Sequence, residues 1–106
     1  MEKLKLADQP QKEIVPGFLA SMIHTANMTF SLVEVEQGAM LPEPHHVHEQ
    51  VTQLIEGAFE LTLEGKTILL QPGDMIVIPS NVKHSGLALE KSKLLDVFHP
   101  VREDYR

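Results

Sequence analysis

Three of the chain's six histidines fall within four positions, in the run Pro44-His45-His46-Val47-His48-Glu49-Gln50. On an extended strand side chains alternate between faces, so His46, His48 and Gln50 project to one side. A further histidine, His84, follows the strand-and-turn run Pro72-Gly73-Asp74-Met75-Ile76-Val77-Ile78-Pro79. If it arrives on a neighbouring strand, three imidazoles and an amide oxygen converge on one point. Imidazoles with a neutral oxygen donor suit a divalent transition metal ion, here zinc, nickel, iron or manganese, with the identity left open. A single His-x-His run is ordinarily a solvated loop, and the stretch leading to His84 reverses that balance.

The elements that must position these groups read as strands. Short β-rich runs at 14–15, 18–23, 28–36, 46–55, 58–63, 66–70, 75–78, 84–89 and 93–98 are separated by Gly, Pro and Asn. Glu64-Gly65 reads as a tight hairpin turn between two of them. The wholly apolar Met75-Ile76-Val77-Ile78 is expected to be buried on both faces. No segment carries a helical apolar stripe with caps over several turns. The expectation is an all-β antiparallel sandwich or barrel, whose mouth is a place for strand-borne side chains to meet a ligand.

Composition bounds the partners. A length of 106 residues suits one domain with one core. The formal charge of −6 argues against a nucleic-acid or anionic-membrane partner, since both need a basic face. Without cysteine there is no disulfide framework and no thiolate zinc site. The start, Met1-Glu2-Lys3-Leu4-Lys5-Leu6-Ala7-Asp8, lacks the apolar core of a secretion signal, and no apolar run reaches membrane-spanning length. A cytoplasmic protein is expected.

Two motifs resemble those of the cupins, a family of small jelly-roll β-barrels also described as double-stranded β-helices. The family's first motif is G-x5-H-x-H-x3,4-E-x6-G. Over residues 38–57, Gly38, Pro44, His46, Gln50 and Gly57 stand at its positions. The second is G-x5-P-x-G-x2-H-x3-N. Over residues 73–88, Gly73, Pro79 and His84 match it, Asn81 stands where a glycine belongs, and Ala88 replaces the final Asn. Asn tolerates the left-handed backbone that such a turn demands. The resemblance implies a single cupin domain over residues 1–106.

It also implies a ligand set of His46, Gln50 and His84. Pro44 stands in the first histidine slot and cannot bind a metal. His48, which shares the face of His46, is favoured to fill the vacancy, with His45 as the alternative. Gln50 in the carboxylate position leaves the ion's charge undiminished for an anion or a polarised oxygen. Glu49 is expected to face the other way.

The stretch Leu94-Leu95-Asp96-Val97-Phe98-His99-Pro100-Val101-Arg102 resembles the ending of the cupins of pectin and alginate breakdown. Those enzymes convert 4,5-unsaturated monouronates to open-chain keto sugars. They carry a ligand glutamine and an Asp-x-Phe-x3-Arg pattern, which Asp96, Phe98 and Arg102 reproduce. In that reading Asp96 relays a proton, Phe98 walls the ring and Arg102 clamps the substrate carboxylate. The bland readings are a surface Asp, a core Phe and a solvated Arg in the tail 99–106. His24 and His99 read as surface or satisfied histidines, and the methionines as core filler.

The substrate expected is thus a small anion, and the reaction a metal-dependent isomerisation without redox chemistry. The alternatives are an oxidative, dioxygenase-type cupin and a non-catalytic sugar-binding cupin. Small cupins commonly pair through their outer sheets, so a homodimer is expected, with 18–23 and 28–35 as candidate interface runs.

Overall fold

The computed structural model describes residues 1–42 and 45–106; Pro44, assigned above to the first histidine slot, lies outside them. Among the described residues, ten strands form two antiparallel sheets. The six-stranded sheet runs in the order β1 (Gln11–Val15), β2 (Phe18–His24), β3 (Thr29–Val35), β10 (Ser92–His99), β5 (Glu49–Glu56) and β8 (Met75–Ile78). The four-stranded sheet runs β4 (Met40–Leu41), β9 (His84–Ala88), β6 (Phe59–Leu63) and β7 (Lys66–Leu70). Single 3₁₀ turns span Leu6–Asp8 and Glu103–Tyr105. The last strand, β10, enters the middle of its sheet between β3 and β5, which places the C-terminal motif beside the histidine-rich run. No helix is long and apolar enough to cross a membrane among the described residues.

Alternation along the strands divides the interior into two zones. Inward positions of β3 are Thr29, Ser31, Val33 and Val35, all buried, with Phe30, Leu32 and Glu34 turned outward between them. Register aligns Val33 with Leu94 of β10 and Leu54 of β5, an apolar row. The next inward row is Ser31, Asp96 and Thr52, and the one after it is Thr29, Phe98 and Gln50. One end of the barrel is therefore closed by packed side chains, and the other presents polar groups to its interior. At the closed end Phe18, Val33, Leu54 and Leu94 meet Phe59, Leu61 and Leu70 of the facing sheet. Each such burial contributes about 1.5–3 kcal/mol.

Local chemistry explains several turns. Glu64 and Gly65 both have positive φ, 47° and 80°, as the expected tight hairpin requires. Asn81 has φ 64°, the left-handed conformation its place in the second motif demanded. Gly86 lies directly under Phe59: a β-carbon there would collide with the ring, so glycine lets the aromatic cross β9.

Two expectations are corrected. Met75–Ile78 is an edge strand, and Met75 and Val77 remain 59% and 55% exposed because its outer face has no covering layer. The strand predicted over 46–55 begins only at Glu49. Residues 46–48 are held instead by the β8–β9 turn: the Asn81 N–H donates to the His46 carbonyl at 2.7 Å, and the Ser80 hydroxyl to that of Val47. The side chains still alternate, with His45, Val47 and Glu49 exposed and His46, His48 and Gln50 drawn in. The two-residue β4 was not foreseen, being too short to show a pattern.

Candidate functional site

A cavity of about 200 Å³ opens at the polar end of the barrel. His46, Gln50, Thr52, His84, Asp96, Phe98, Arg102 and Tyr105 line it, over an apolar wall that includes Phe18, Phe59 and Leu94. His84 is buried at the first position of β9, and its ring centroid is 5.2 Å from that of His46.

Hydrogen bonds set the orientation of each donor. His84 Nδ1 lies 3.0 Å from the Val82 carbonyl, so that nitrogen carries the proton in the neutral ring and Nε2 bears a lone pair. His46 Nδ1 lies 3.0 Å from the His48 carbonyl, and its Nε2 is 3.1 Å from Gln50 Oε1. The Gln50 amide cannot turn round without loss. Its nitrogen donates to Thr52 Oγ1 at 2.9 Å, and that hydroxyl donates to Asp96 Oδ1 at 2.7 Å.

His46 is thus flanked by two acceptors, whereas a neutral imidazole has one N–H. Burial, reinforced by the Arg102 charge, lowers the pKa of His46 and so disfavours a second proton. A metal cation held by His46 and Gln50 would satisfy both lone pairs. The donors fit a divalent ion bound by His46, Gln50 and His84, two imidazoles and an amide oxygen. No group of three His, Cys, Asp or Glu gathers for a metal among the described residues; the third donor here is an amide.

The two candidates for the vacant slot differ. His48 packs edge-on to His46 at 5.3 Å and to Phe98 at 6.4 Å, and its Nδ1 is buried without a partner. It does not line the cavity. His45 is exposed and outside the cavity lining. Glu49 is exposed, as its parity required, and so is His99. His24 makes a 2.8 Å contact with Thr29 Oγ1.

Asp96, Phe98 and Arg102 all reach the cavity. Asp96 is partly exposed, and burial pushes its pKa up to about 6, against the opposing pull of the Thr52 and Gln50 hydrogen bonds and of Arg102. A carboxyl in that range can give and take a proton near neutral pH. Arg102 is only 7% exposed, so it is no solvated tail residue. Its backbone N–H donates to Thr29 Oγ1 at 2.9 Å, and its guanidinium lies over the Phe98 and Tyr105 rings at 4.8 and 3.9 Å. Asp104 accepts from its Nε at 3.0 Å and from its Nη2 at 2.7 Å. Burial works against the Arg102 charge, but the Asp104 hydrogen bond and the neighbouring Tyr105 hold its pKa above the ordinary value.

Sequence reasoning missed Thr52, Asp104 and Tyr105. Thr52 was within reach, since it shares the strand face of Gln50 two residues on. Tyr105 and Asp104 enter through a 3₁₀ turn that no strand parity announces.

The cupin domain family model matches residues 31–98. The pectin degradation protein KdgF of Dickeya dadantii is 30% identical over 101 residues, covering 92% of each chain. The structure of KdgF from Halomonas sp. superposes with a TM-score of 0.88 at 32% identity, over 94% of this chain and 95% of that one. The acireductone dioxygenase of Bacillus licheniformis is 27% identical over 115 residues, covering 91% of this chain and 64% of its own length.

Proposed function

The chain belongs to the cupin family, and from that footing we propose that it is a metal-dependent enzyme that opens and ketonises 4,5-unsaturated uronates. Similarity to two KdgF proteins supports a cupin enzyme of pectin degradation. One observation carries the finer reading. A buried arginine, a carboxyl with a pKa of about 6 and an oriented pair of histidines line a single cavity.

Each group has a task that matches its surroundings. Arg102 binds the substrate carboxylate through charge-assisted hydrogen bonds in a partly desolvated wall. Phe98 presents a flat apolar surface that orients the sugar ring. A divalent ion held by His46, Gln50 and His84 would supply Lewis-acid polarisation of a sugar oxygen. Asp96, as the carboxylate, takes the proton of the anomeric hydroxyl. The C1=O bond forms, the C1–O5 bond breaks, and O5 is left as the oxygen of an enolate at C5. Asp96, now protonated, returns its proton to C4, and the enolate becomes a ketone at C5. The proton lost by oxygen is regained by carbon, so no oxidant is needed.

The discriminating experiment is an anaerobic assay with 4,5-unsaturated galacturonate, followed by loss of the ultraviolet absorbance of the double bond. Loss without oxygen supports the reading, and Asp96→Asn should slow it about 10²–10⁴-fold with metal content unchanged. A flat trace with each added metal would contradict it. The likeness to acireductone dioxygenase favours a second reading, an oxidative cupin, which would consume oxygen instead. A neutral amide ligand weighs against that chemistry, since a carboxylate better stabilises an oxidised metal.

A homodimer is part of the same reading. Two registered rows cross the outer face of the six-stranded sheet: Phe30, Val97, Val51 and Val77, then Leu32, Leu95, Gln53 and Met75. Seven of these eight are apolar and none is charged. A second copy, presenting the same uncharged rows, would cover the exposed Met75 and Val77.

A further inference from the structure

Arg102 is gripped in a way the uronate reading does not use. Its side chain is 9% exposed, whereas that of its partner Asp104 is 57% exposed. The carboxylate therefore holds the guanidinium from the solvent side, by the Nε and Nη2 edge, at 3.0 and 2.7 Å. The Phe98 and Tyr105 rings lie against the guanidinium at 4.8 and 3.9 Å. Arg102 is also among the residues lining the cavity, and Asp104 is its one carboxylate partner among the described residues. The pairing also gives a buried positive charge a counter-ion.

We propose that Asp104 is a positioning residue. By fixing one edge of the Arg102 guanidinium against Tyr105, it turns the remaining N–H groups toward the carboxylate of a substrate in the cavity. This assignment rests on Arg102 being the carboxylate clamp of the proposed function. An arginine side chain has several rotatable bonds, and each rotamer held in advance is entropy that binding need not remove. A substrate entering the cavity meets the inner side of the guanidinium, so Asp104 is not evicted; it stays as the outer half of a carboxylate–guanidinium–carboxylate stack. Tyr105 completes the device. It sits on the same 3₁₀ turn, closed by its own N–H to the Arg102 carbonyl at 3.0 Å.

The chain contains one tyrosine and no tryptophan, so intrinsic fluorescence reports on Tyr105 alone. The test compares the wild-type chain with Asp104→Asn, Asp104→Ala and Asp104→Glu. Binding of saturated galacturonate, with galactose as the carboxylate-free control, is read from Tyr105 emission, and steady-state kinetics are measured with the unsaturated uronate. The expected result is carboxylate-dependent binding weakened about 5- to 30-fold in the Asn and Ala variants. KM should rise by a similar factor while kcat holds, with partial recovery in Asp104→Glu. Tighter binding in Asp104→Asn would show that Asp104 competes with the substrate, and equal losses in KM and kcat would show a merely structural role; either overturns the proposal. Absence of turnover with galacturonate binding intact and sensitive to Asp104 would retire the proposed reaction and keep this inference. Galacturonate and galactose binding alike would overturn the inference itself.

Discussion

Gln50 and Asp96 are joined through one hydroxyl: Thr52 accepts from the Gln50 amide at 2.9 Å and donates to Asp96 at 2.7 Å. The group proposed to hold the ion and the group proposed to move the proton are thus coupled through that hydroxyl, beside the direct pull of Gln50 on Asp96. A change at either end is felt at the other, and the hydroxyl that links them touches neither the ion nor the substrate in this scheme.

Replacing that hydroxyl tests the coupling. Thr52→Val keeps the shape but leaves the Gln50 amide nitrogen without its acceptor, so the oxygen is no longer aimed at His46. Loss of an outer partner of this kind weakens metal affinity about 10- to 100-fold. Competition with a chromophoric chelator measures it, and Thr52→Ser should retain most of the wild-type value. Equal affinity in all three proteins would mean that Gln50 is not oriented in this way.

The raised pKa of Asp96 predicts a pH signature in chelator-treated protein. Unfolding returns the carboxyl from about 6 to its ordinary value near 3.8, so the folded state binds this proton more tightly than the unfolded one. The stability it contributes is complete below pH 4 and is lost as pH rises through 6. Asp96→Asn removes the titration. The variant should match wild type at pH 4 and exceed it above pH 6, by about 1–3 kcal/mol once solvent access through the cavity is allowed for. Denaturant midpoints at both pH values check this. A gap that does not widen with pH would show that burial does not hold the carboxyl protonated.

The outer-sheet rows predict a self-association that one charge abolishes. Val77→Lys or Val97→Lys should convert a dimer to a monomer in sedimentation velocity, with Tm measured at matched concentration. A wild-type chain that sediments as a monomer at micromolar concentration would end the homodimer reading.

How much of this was readable in advance depends on the distance over which the signal acts. His46, Gln50 and His84 were placed by motif spacing, and their approach needed only the barrel. Asp96 and Phe98 were named by the pattern shared with the resembled cupins, and both face the cavity because β10 pairs with β3 without a register shift. Parity gave the right sides for His46 and His48 although its premise failed, since a turn's hydrogen bonds and not a ladder hold residues 46–48. Met75–Ile78 misled because an apolar run does not say whether a second layer covers it; β8 lies at an edge, and its outer side chains meet solvent. Arg102 was named by the same shared pattern, whereas Asp104 and Tyr105 depend on contacts made after the last strand, where no period constrains the chain.

The central claim is that imidazoles from two distant stretches, with one amide oxygen, grip a single cation. Metal content per chain after chelation and reloading tests it most directly, in wild type and in His46→Ala, His84→Ala and the double variant, with His45→Ala as the control. One ion per chain in wild type and in His45→Ala, with the ion lost from the double variant, is the result expected. Full occupancy with both imidazoles removed would place the metal elsewhere and contradict the account.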